Sequence, residues 1–512
     1  MEKQLFNGSL LSQKTILGHP SGLFILFFTE MWERFSYYGM RAILVLYLVS
    51  ETTGDNPGLG WENESAIALY GWYTMFVYLA TIPGGLLADK ILGQRKSVMI
   101  GGLLLIFGHS ILAVEALWAF YTGLVFIVMG VGCLKSNIST MVGGLYKKGE
   151  NDKRDLGFYI FYMGINIGAA ISAILVGYVG ETIGWHYGFG LAGIGMALGQ
   201  LVYWKGQKYI SHVGNMIEEN KTENNPQTSL ILDIFKKTNS IIGFSLMILF
   251  ALIIYYMFGA WDYALLVFGL AFAVGVGIVI YNDGNSIEKY RIFVTYLSFL
   301  IIIVFWGSFE QAGGLMNVYA KQKTDLSLFG FFDVPASWFQ SVNAMFILIF
   351  ATLVGSFWVW WKNRGNEYSS IFKMAIGVII MGWGFFFMSM ASSEVVYDSA
   401  GILPSEAVIT QKSAMYWLVL AYLFHTLGEL CASPVALSFI TKLAPARWAA
   451  FMMGAYFAAT GLGNKVAGLI GENASEIGDF WTFTGIGIFC SVFGLLVLLI
   501  IKPLKRLVHD AE

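Results

Sequence analysis

The stretch Glu30-Met-Trp-Glu33-Arg34-Phe-Ser-Tyr37-Tyr38-Gly-Met-Arg41 gathers six side chains that could do chemistry together. Glu30, Glu33, Arg34, Tyr37, Tyr38 and Arg41 share the spacing of one helix face about three turns long. Glu30 can pair with Arg34 one turn on, in the favourable order. Arg41 has only Tyr37 and Val45 at that distance, so it must find an anion on another helix or on a ligand. Three further charges stand alone in apolar surroundings. They are Lys135 in Gly-Cys-Leu-Lys135-Ser-Asn137, Glu310 in Trp306-Gly-Ser-Phe-Glu310-Gln311, and Glu429 in His425-Thr-Leu-Gly-Glu429-Leu-Cys-Ala-Ser433-Pro434. An ionisable side chain at the centre of a bilayer costs about 2.5–3.5 kcal/mol, so its retention points to a cavity. For a single pair, mutual neutralisation that merely locks two helices is an equal alternative. Here Glu30, Glu33, Glu310 and Glu429 outnumber Arg34, Arg41 and Lys135 by one carboxylate. An unmatched carboxylate in a low dielectric tends to take a proton. One of these glutamates is therefore expected to cycle a proton.

These side chains need membrane-spanning elements to position them. The chain of 512 residues is 57% hydrophobic and 12% charged, with mean hydropathy +0.65. A soluble domain carries roughly 25% charged residues. A helix spans the hydrocarbon with about 20 mostly apolar residues. Such segments fall at roughly 22–49, 65–89, 97–115, 118–142, 157–180, 185–204, 241–257, 261–281, 293–318, 338–361, 371–391, 415–440, 449–470 and 481–501, about fourteen in all. Basic loops (Lys90, Arg95, Lys96; Lys147, Lys148, Lys153, Arg154; Lys362, Arg364; Lys442, Arg447; Lys502, Lys505, Arg506) alternate with acidic ones (Glu51, Asp55, Glu62, Glu64; Glu181; Glu394, Asp398, Glu406; Glu472, Glu476, Asp479). The positive-inside rule puts both termini in the cytoplasm, as an even number of spans also requires.

The longest polar run, Lys205 to Asn239, reads as a cytoplasmic linker between two six-helix halves. The expected organisation is an N-terminal bundle over 1–204, the linker over 205–240, a two-helix transmembrane hairpin over 241–290 and a C-terminal bundle over 291–512. The hairpin carries almost no charge and reads as lipid-facing. Pro434 is expected to bend its helix just past Glu429. Small residues four apart, as in Gly164–Gly168 and Gly193–Ala197, read as close helix crossings.

Other classes are disfavoured. A net charge of -2 and a pI near 6.3 predict no nucleic-acid partner. Cys133, Cys431 and Cys490 have neither disulfide nor metal spacing. No nucleophile with a base, metal triad or nucleotide loop argues for an enzyme. Met1 to Pro20 lacks the apolar core of a cleavable signal, so the first transmembrane helix is expected to direct insertion. Trp358, Trp360 and Trp361 read as packing, and His425 reads as a packed histidine before a proton relay. Hydropathy and buried charge together describe a polytopic membrane transporter.

Gly85-Leu-Leu-Ala-Asp89-Lys-Ile-Leu-Gly93-Gln-Arg95-Lys96 resembles the loop signature of the major facilitator superfamily. Glu30-x-x-Glu33-Arg34-Phe-x-Tyr37-Tyr38 resembles the first-helix motif of its proton-dependent oligopeptide transporters. Phe161-Tyr162-x-x-Ile165-Asn166-x-Gly168, Phe309-Glu310-Gln311 and Gly428-Glu429-Leu430-Cys431-x-Ser433-Pro434 resemble that family's fifth, seventh and tenth helices, in family order. The resemblance implies an all-α membrane protein of the major facilitator fold: two six-helix bundles with an extra hairpin between them, as in prokaryotic members. It implies proton-coupled uptake of di- and tripeptides by a monomer in the plasma membrane (a bacterial inner membrane), driven by the proton gradient without a cofactor. By resemblance, Arg34 and Lys135 receive the peptide carboxylate, supported by Tyr37 and Tyr78. Asn166, Asn343 and Glu429 hold the ammonium, while Tyr162, Trp306 and Ser433 belong to the substrate pockets. Glu310 facing Arg41 is the proton-linked outer gate, Lys135 with Glu429 an inner gate, and Glu30 and Glu33 with Arg34 couple proton to substrate.

The physics is compatible. A dipeptide zwitterion separates its charges by about 5–7 Å, and a cavity with one basic and one acidic wall would orient it. Arg34 can hold a carboxylate bidentately, whereas Lys135 acts as a point charge. Two positions depart from the family pattern: Ala344 follows Asn343 where proline is common, and Tyr456 stands where tryptophan is expected. Competing readings are transport of other small amphoteric or anionic solutes such as nitrate, and a nutrient receptor on a transporter fold. The intact Glu30, Glu33 and Arg34 set argues against a nitrate specialist.

Overall fold

A computed structural model describes residues 15–147, 150–215, 238–258, 285–398, 408–444 and 449–508, with isolated positions at 278, 281 and 282. Among them are thirteen long helices. The first half contains α1 (Ser21–Val49), α2 (Asn63–Leu79, continued as Thr81–Leu87), α3 (Gln94–Leu112), α4 (Leu117–Gly144), α5 (Asn151–Thr182) and α6 (Trp185–Lys205). Then comes α7 (Thr238–Phe258), whose Tyr256 and Leu246 are exposed as a lipid-facing helix requires. The second half contains α8 (Ser286–Phe309), α9 (Phe339–Asn363), α10 (Ser370–Glu394), α11 (Tyr416–Leu443), α12 (Ala449–Glu472) and α13 (Asp479–Leu499). The second hairpin helix expected at 261–281 and most of the linker lie outside the described residues. Among the described residues, nine helices are by composition long and apolar enough to cross a membrane; α1 is not one of them, because Glu30, Glu33, Arg34 and Arg41 lie along it.

Three expectations are corrected. The helix expected over 65–89 breaks at Ala80. Pro83 has no N–H to give the Leu79 carbonyl, and the Thr81 hydroxyl bonds the Tyr78 carbonyl instead at 2.6 Å. The helix expected over 293–318 ends at Phe309. Glu310–Ala312 tightens into a single turn, and a new helix runs over Leu315–Lys323 after Gly313 and Gly314. Finally, α8 starts at Ser286, inside the range assigned to the hairpin, because Asn285 and Glu288 form a reciprocal capping box there. Through Pro434, α11 continues without a break in helical assignment. Short two-stranded ladders add a little β-structure, such as Val396–Asp398 against Val408–Gln411.

Each half packs its own helices. In the first, α1 lies on α5 and α6, and α3 on α4 and α6; in the second, α10 lies on α11 and α13, and α8 on α12. Among the described residues, the halves meet most extensively where α2 packs on α12 and α5 on α9. The α2–α12 crossing is backbone to backbone. A Cβ placed on Gly71 would come 2.8 Å from the Gly468 Cα, so only glycine fits either side. The ends of the bundle differ in charge, and we call them the acidic-loop end and the basic-loop end.

Candidate functional site

α1 carries the densest charge. The Arg34 guanidinium reaches the Glu30 carboxylate at 3.2 Å and clamps Glu33 with both Nε and Nη2, the latter at 2.7 Å. All three are buried. The clamp is closed within one helix, and Arg34 also lies 5.3 Å from the Tyr37 ring centroid and 5.8 Å from that of Tyr38.

Two turns further, Arg41 finds its anion on the other half. Its Nη1 donates to Glu310 Oε1 at 3.1 Å, while the Tyr70 hydroxyl of α2 donates to Glu310 Oε2 at 2.8 Å. Both carboxylate oxygens are thus held by donors from the first half. Arg41 also lies 5.3 Å from the Tyr38 ring, which places Tyr38 between the two guanidiniums. Glu310 can be reached because α8 stops one residue earlier and the turn points its side chain back at α1 and α2.

Lys135 and Glu429 face the same region from opposite halves but are engaged separately. Lys135 Nζ sits 3.8 Å from the Tyr78 ring centroid and feels the charges of Arg34, Glu33, Glu30 and Glu310. Glu429 Oε2 accepts from Asn343 Nδ2 at 2.9 Å, and the same amide reaches the Thr426 hydroxyl at 3.0 Å. Tyr162 is 39% exposed, yet its hydroxyl lies in the field of Glu429, Tyr38 and Tyr456. Tyr162 thus stands where the two halves meet. Lys135, Tyr78, Trp306, Asn343 and Ser433 are likewise half-buried. The Asn166 amide is buried and donates to the Tyr162 carbonyl at 3.0 Å. The Tyr456 hydroxyl lies within hydrogen-bonding reach of Ser433, Thr460 and Trp306, so tyrosine here adds a polar link between two residues singled out in the sequence. His425 packs on Phe385 with ring centroids 4.5 Å apart.

Tyr38 belongs to the charged face of α1 in the sequence, and its contacts with Arg34 and Arg41 give it a place in the site; Tyr70 carries no charge, and only its bond to Glu310 marks it. Lys465 in α12 was missed although it shows the same signal as Lys135, a lone lysine in an apolar run. It is 0% exposed, with Nζ 4.6 Å from the Trp72 ring centroid and 3.8 Å from Glu472. Adding this cation with its own carboxylate leaves the excess of one glutamate unchanged. Among the described residues, no cluster of potential metal ligands occurs.

The first half thus brings Arg34 and Lys135, and the second Glu310 and Glu429, to the junction between the halves. Residues 95–479 match the model of the POT family. The chain belongs to that family. It is 35% identical to "Peptide transporter YePEPT" of Yersinia enterocolitica, covering 98% of this chain and 97% of that protein. It is 34% identical to "Di-/tripeptide transporter" of Lactococcus lactis subsp. cremoris, covering 98% and 99%. Among solved structures it is similar to a mutant of the peptide transporter POT in complex with sulfate, with a TM-score of 0.83, 33% identity and 98% and 99% coverage. The chain is a multi-pass membrane transporter with the major facilitator fold, and not an enzyme.

Proposed function

We propose that this protein takes up di- and tripeptides with protons by alternating access of its two six-helix halves, flanking a linker and hairpin that end before Ser286. One observation carries the reading: Tyr38 packs on Arg34 of the first half and lies in the field of Glu429, which the Asn343 amide holds in the second, so opposite charges of the two halves converge on one place. Arg34 and Lys135 take the peptide carboxylate, with Tyr37 and Tyr78 beside them. Asn166, Asn343 and Glu429 take the ammonium. Tyr162, Trp306 and Ser433 leave loose pockets for side chains. Binding the termini rather than the side chains lets one site accept many sequences.

Glu310 is the proposed proton-linked gate. While ionised it holds Arg41 and Tyr70 at the acidic-loop end; a proton on it removes the charge that attracts Arg41 and frees the halves to part. Glu30 and Glu33, sharing Arg34, connect proton loading to the substrate site. Lys135 and Glu429 pair in the opposite conformation and close the basic-loop end. We place the protein in the plasma membrane, a bacterial inner membrane, as a monomer with both termini cytoplasmic, working from the proton gradient without a cofactor.

Uptake of labelled dialanine into liposomes tests this directly. Accumulation above the external concentration is expected only with an inward proton gradient, and an uncoupler should collapse it. Uptake indifferent to both would refute proton coupling.

A further inference from the structure

In the sequence, Glu181 is one acidic charge at the end of a helix. In the structure its carboxylate is 4% exposed, and the donors around it belong to the other half. Oε1 accepts from the Ser337 amide at 2.9 Å and the Ser337 hydroxyl at 2.7 Å. Oε2 accepts from Lys321 Nζ at 3.0 Å and the Ala336 amide at 3.3 Å. Ala336–Trp338 is the turn that leads into α9. Amides opening a helix lack partners within it and carry partial positive charge. A side chain of α5 thus caps a helix of the opposite half and pairs with that half's lysine.

The surroundings make this joint rigid. A Cβ on Gly177, one turn earlier in α5, would lie 2.0 Å from the Ser337 hydroxyl oxygen, so the two walls touch. Trp338 Nε1 donates to the Ile174 carbonyl at 3.0 Å. Behind Glu181, the Asn56 amide donates to the carbonyls of Gly180 at 2.8 Å and Glu181 at 3.2 Å, tying the end of α5 to the loop after α1.

We propose that Glu181 is a second gating residue of the transport cycle: a carboxylate clasp that holds the acidic-loop end shut without help from the Arg41–Glu310 pair. This rests on the alternating-access reading above. Parting the halves here strips four donors from a buried carboxylate, whatever the state of Glu310. The two closures share no residue. One is buried between the halves and is held by Arg41 and Tyr70; the other lies at the rim and is held by Lys321, the Ser337 hydroxyl and two backbone amides. The rim clasp therefore sets how readily the end opens, while the inner pair ties opening to the proton.

The test places spin labels at Ile183→Cys and Ile477→Cys, exposed positions at the acidic-loop end on opposite halves. The full chain is reconstituted in lipid, and the label-to-label distance is measured by pulsed electron resonance. Glu181→Gln keeps the shape but loses the negative charge. It should raise the long-distance population about tenfold, the effect of one lost charge-assisted hydrogen bond. Gly177→Ala wedges the same joint without touching any charge and should raise it as well. Lengthening in both variants, or in Glu181→Gln alone, supports the clasp. An unchanged distribution in Glu181→Gln, with or without a response to Gly177→Ala, overturns it. No peptide or proton gradient is needed, so failure of the substrate assignment would leave this result intact, and the reverse.

Discussion

Arg34 and Arg41 lie on the same helix, about 10 Å apart along its axis, and are satisfied in opposite ways. Arg34 is neutralised by Glu30 and Glu33 of its own helix, so its site persists however the halves move. Arg41 is neutralised by Glu310 of the other half, so its pairing lasts only while the halves meet at that end. A charge that must bind substrate in every conformation has local partners. A charge that must report conformation has a distant one.

The largest effect is expected at the distant pair. Arg41→Ala leaves the Glu310 carboxylate buried without its cation, a loss of about 3–5 kcal/mol to the closed conformation. Thermal unfolding should fall by several degrees and proton-driven accumulation should vanish. Glu310→Gln should also abolish accumulation while counterflow exchange stays measurable. Accumulation by that variant under an imposed pH gradient would remove Glu310 from the proton path.

Arg34→Lys probes the local clamp. Lysine cannot reproduce the two-pronged grip on Glu33, so peptide binding should weaken by about 1.5–3 kcal/mol, read as a rise in Kd with the fold intact. A melting loss as large as that of Arg41→Ala would erase the distinction between the two arginines. Lys135→Ala should weaken peptides with a free carboxylate about tenfold, and amidated peptides much less, on the scale of one charge-assisted hydrogen bond. Equal losses would end its assignment to the carboxylate.

The smallest effect is expected at a surface pair. Lys505 Nζ lies 2.8 Å from Glu367 at the basic-loop end. Burial pushes the Glu367 carboxyl up, but Lys505 and the Ser369 amide outweigh it and hold the group below the ordinary carboxylate value. A carboxyl held low contributes stability above its ordinary range and loses it as pH falls through the folded value. Lys505→Gln should therefore cost less than about 1 kcal/mol at neutral pH, and nothing measurable by melting at strongly acidic pH.

Much of the architecture could be read from hydropathy. Segments expected at 118–142 and 185–204 are the helices Leu117–Gly144 and Trp185–Lys205. Breaks inside helices were harder. Pro83 offered a local cue for the interruption at Ala80, but the stop of α8 before Glu310 depends on Arg41 and Tyr70, which belong to other helices. Isolated charges were legible for the same reason that they are costly. Arg41 visibly lacked a partner, yet spacing could not name Glu310, 269 positions away. Lys465 carries the same cue as Lys135, a lone lysine in an apolar run, but its ring partner Trp72 on the other half could not be named from spacing. Glu181 escaped because an acidic residue at a helix end is ordinary until its donors are known.

The crossing of Gly71 on Gly468 has a mechanical consequence. Two smooth backbones in direct contact can roll over one another without ratcheting past side chains, and so can act as a fulcrum for both ends of the molecule. A methyl group at either position would push the two backbones apart and lift the pivot out of contact, disturbing the stroke at both ends of the molecule from a place that touches no cargo.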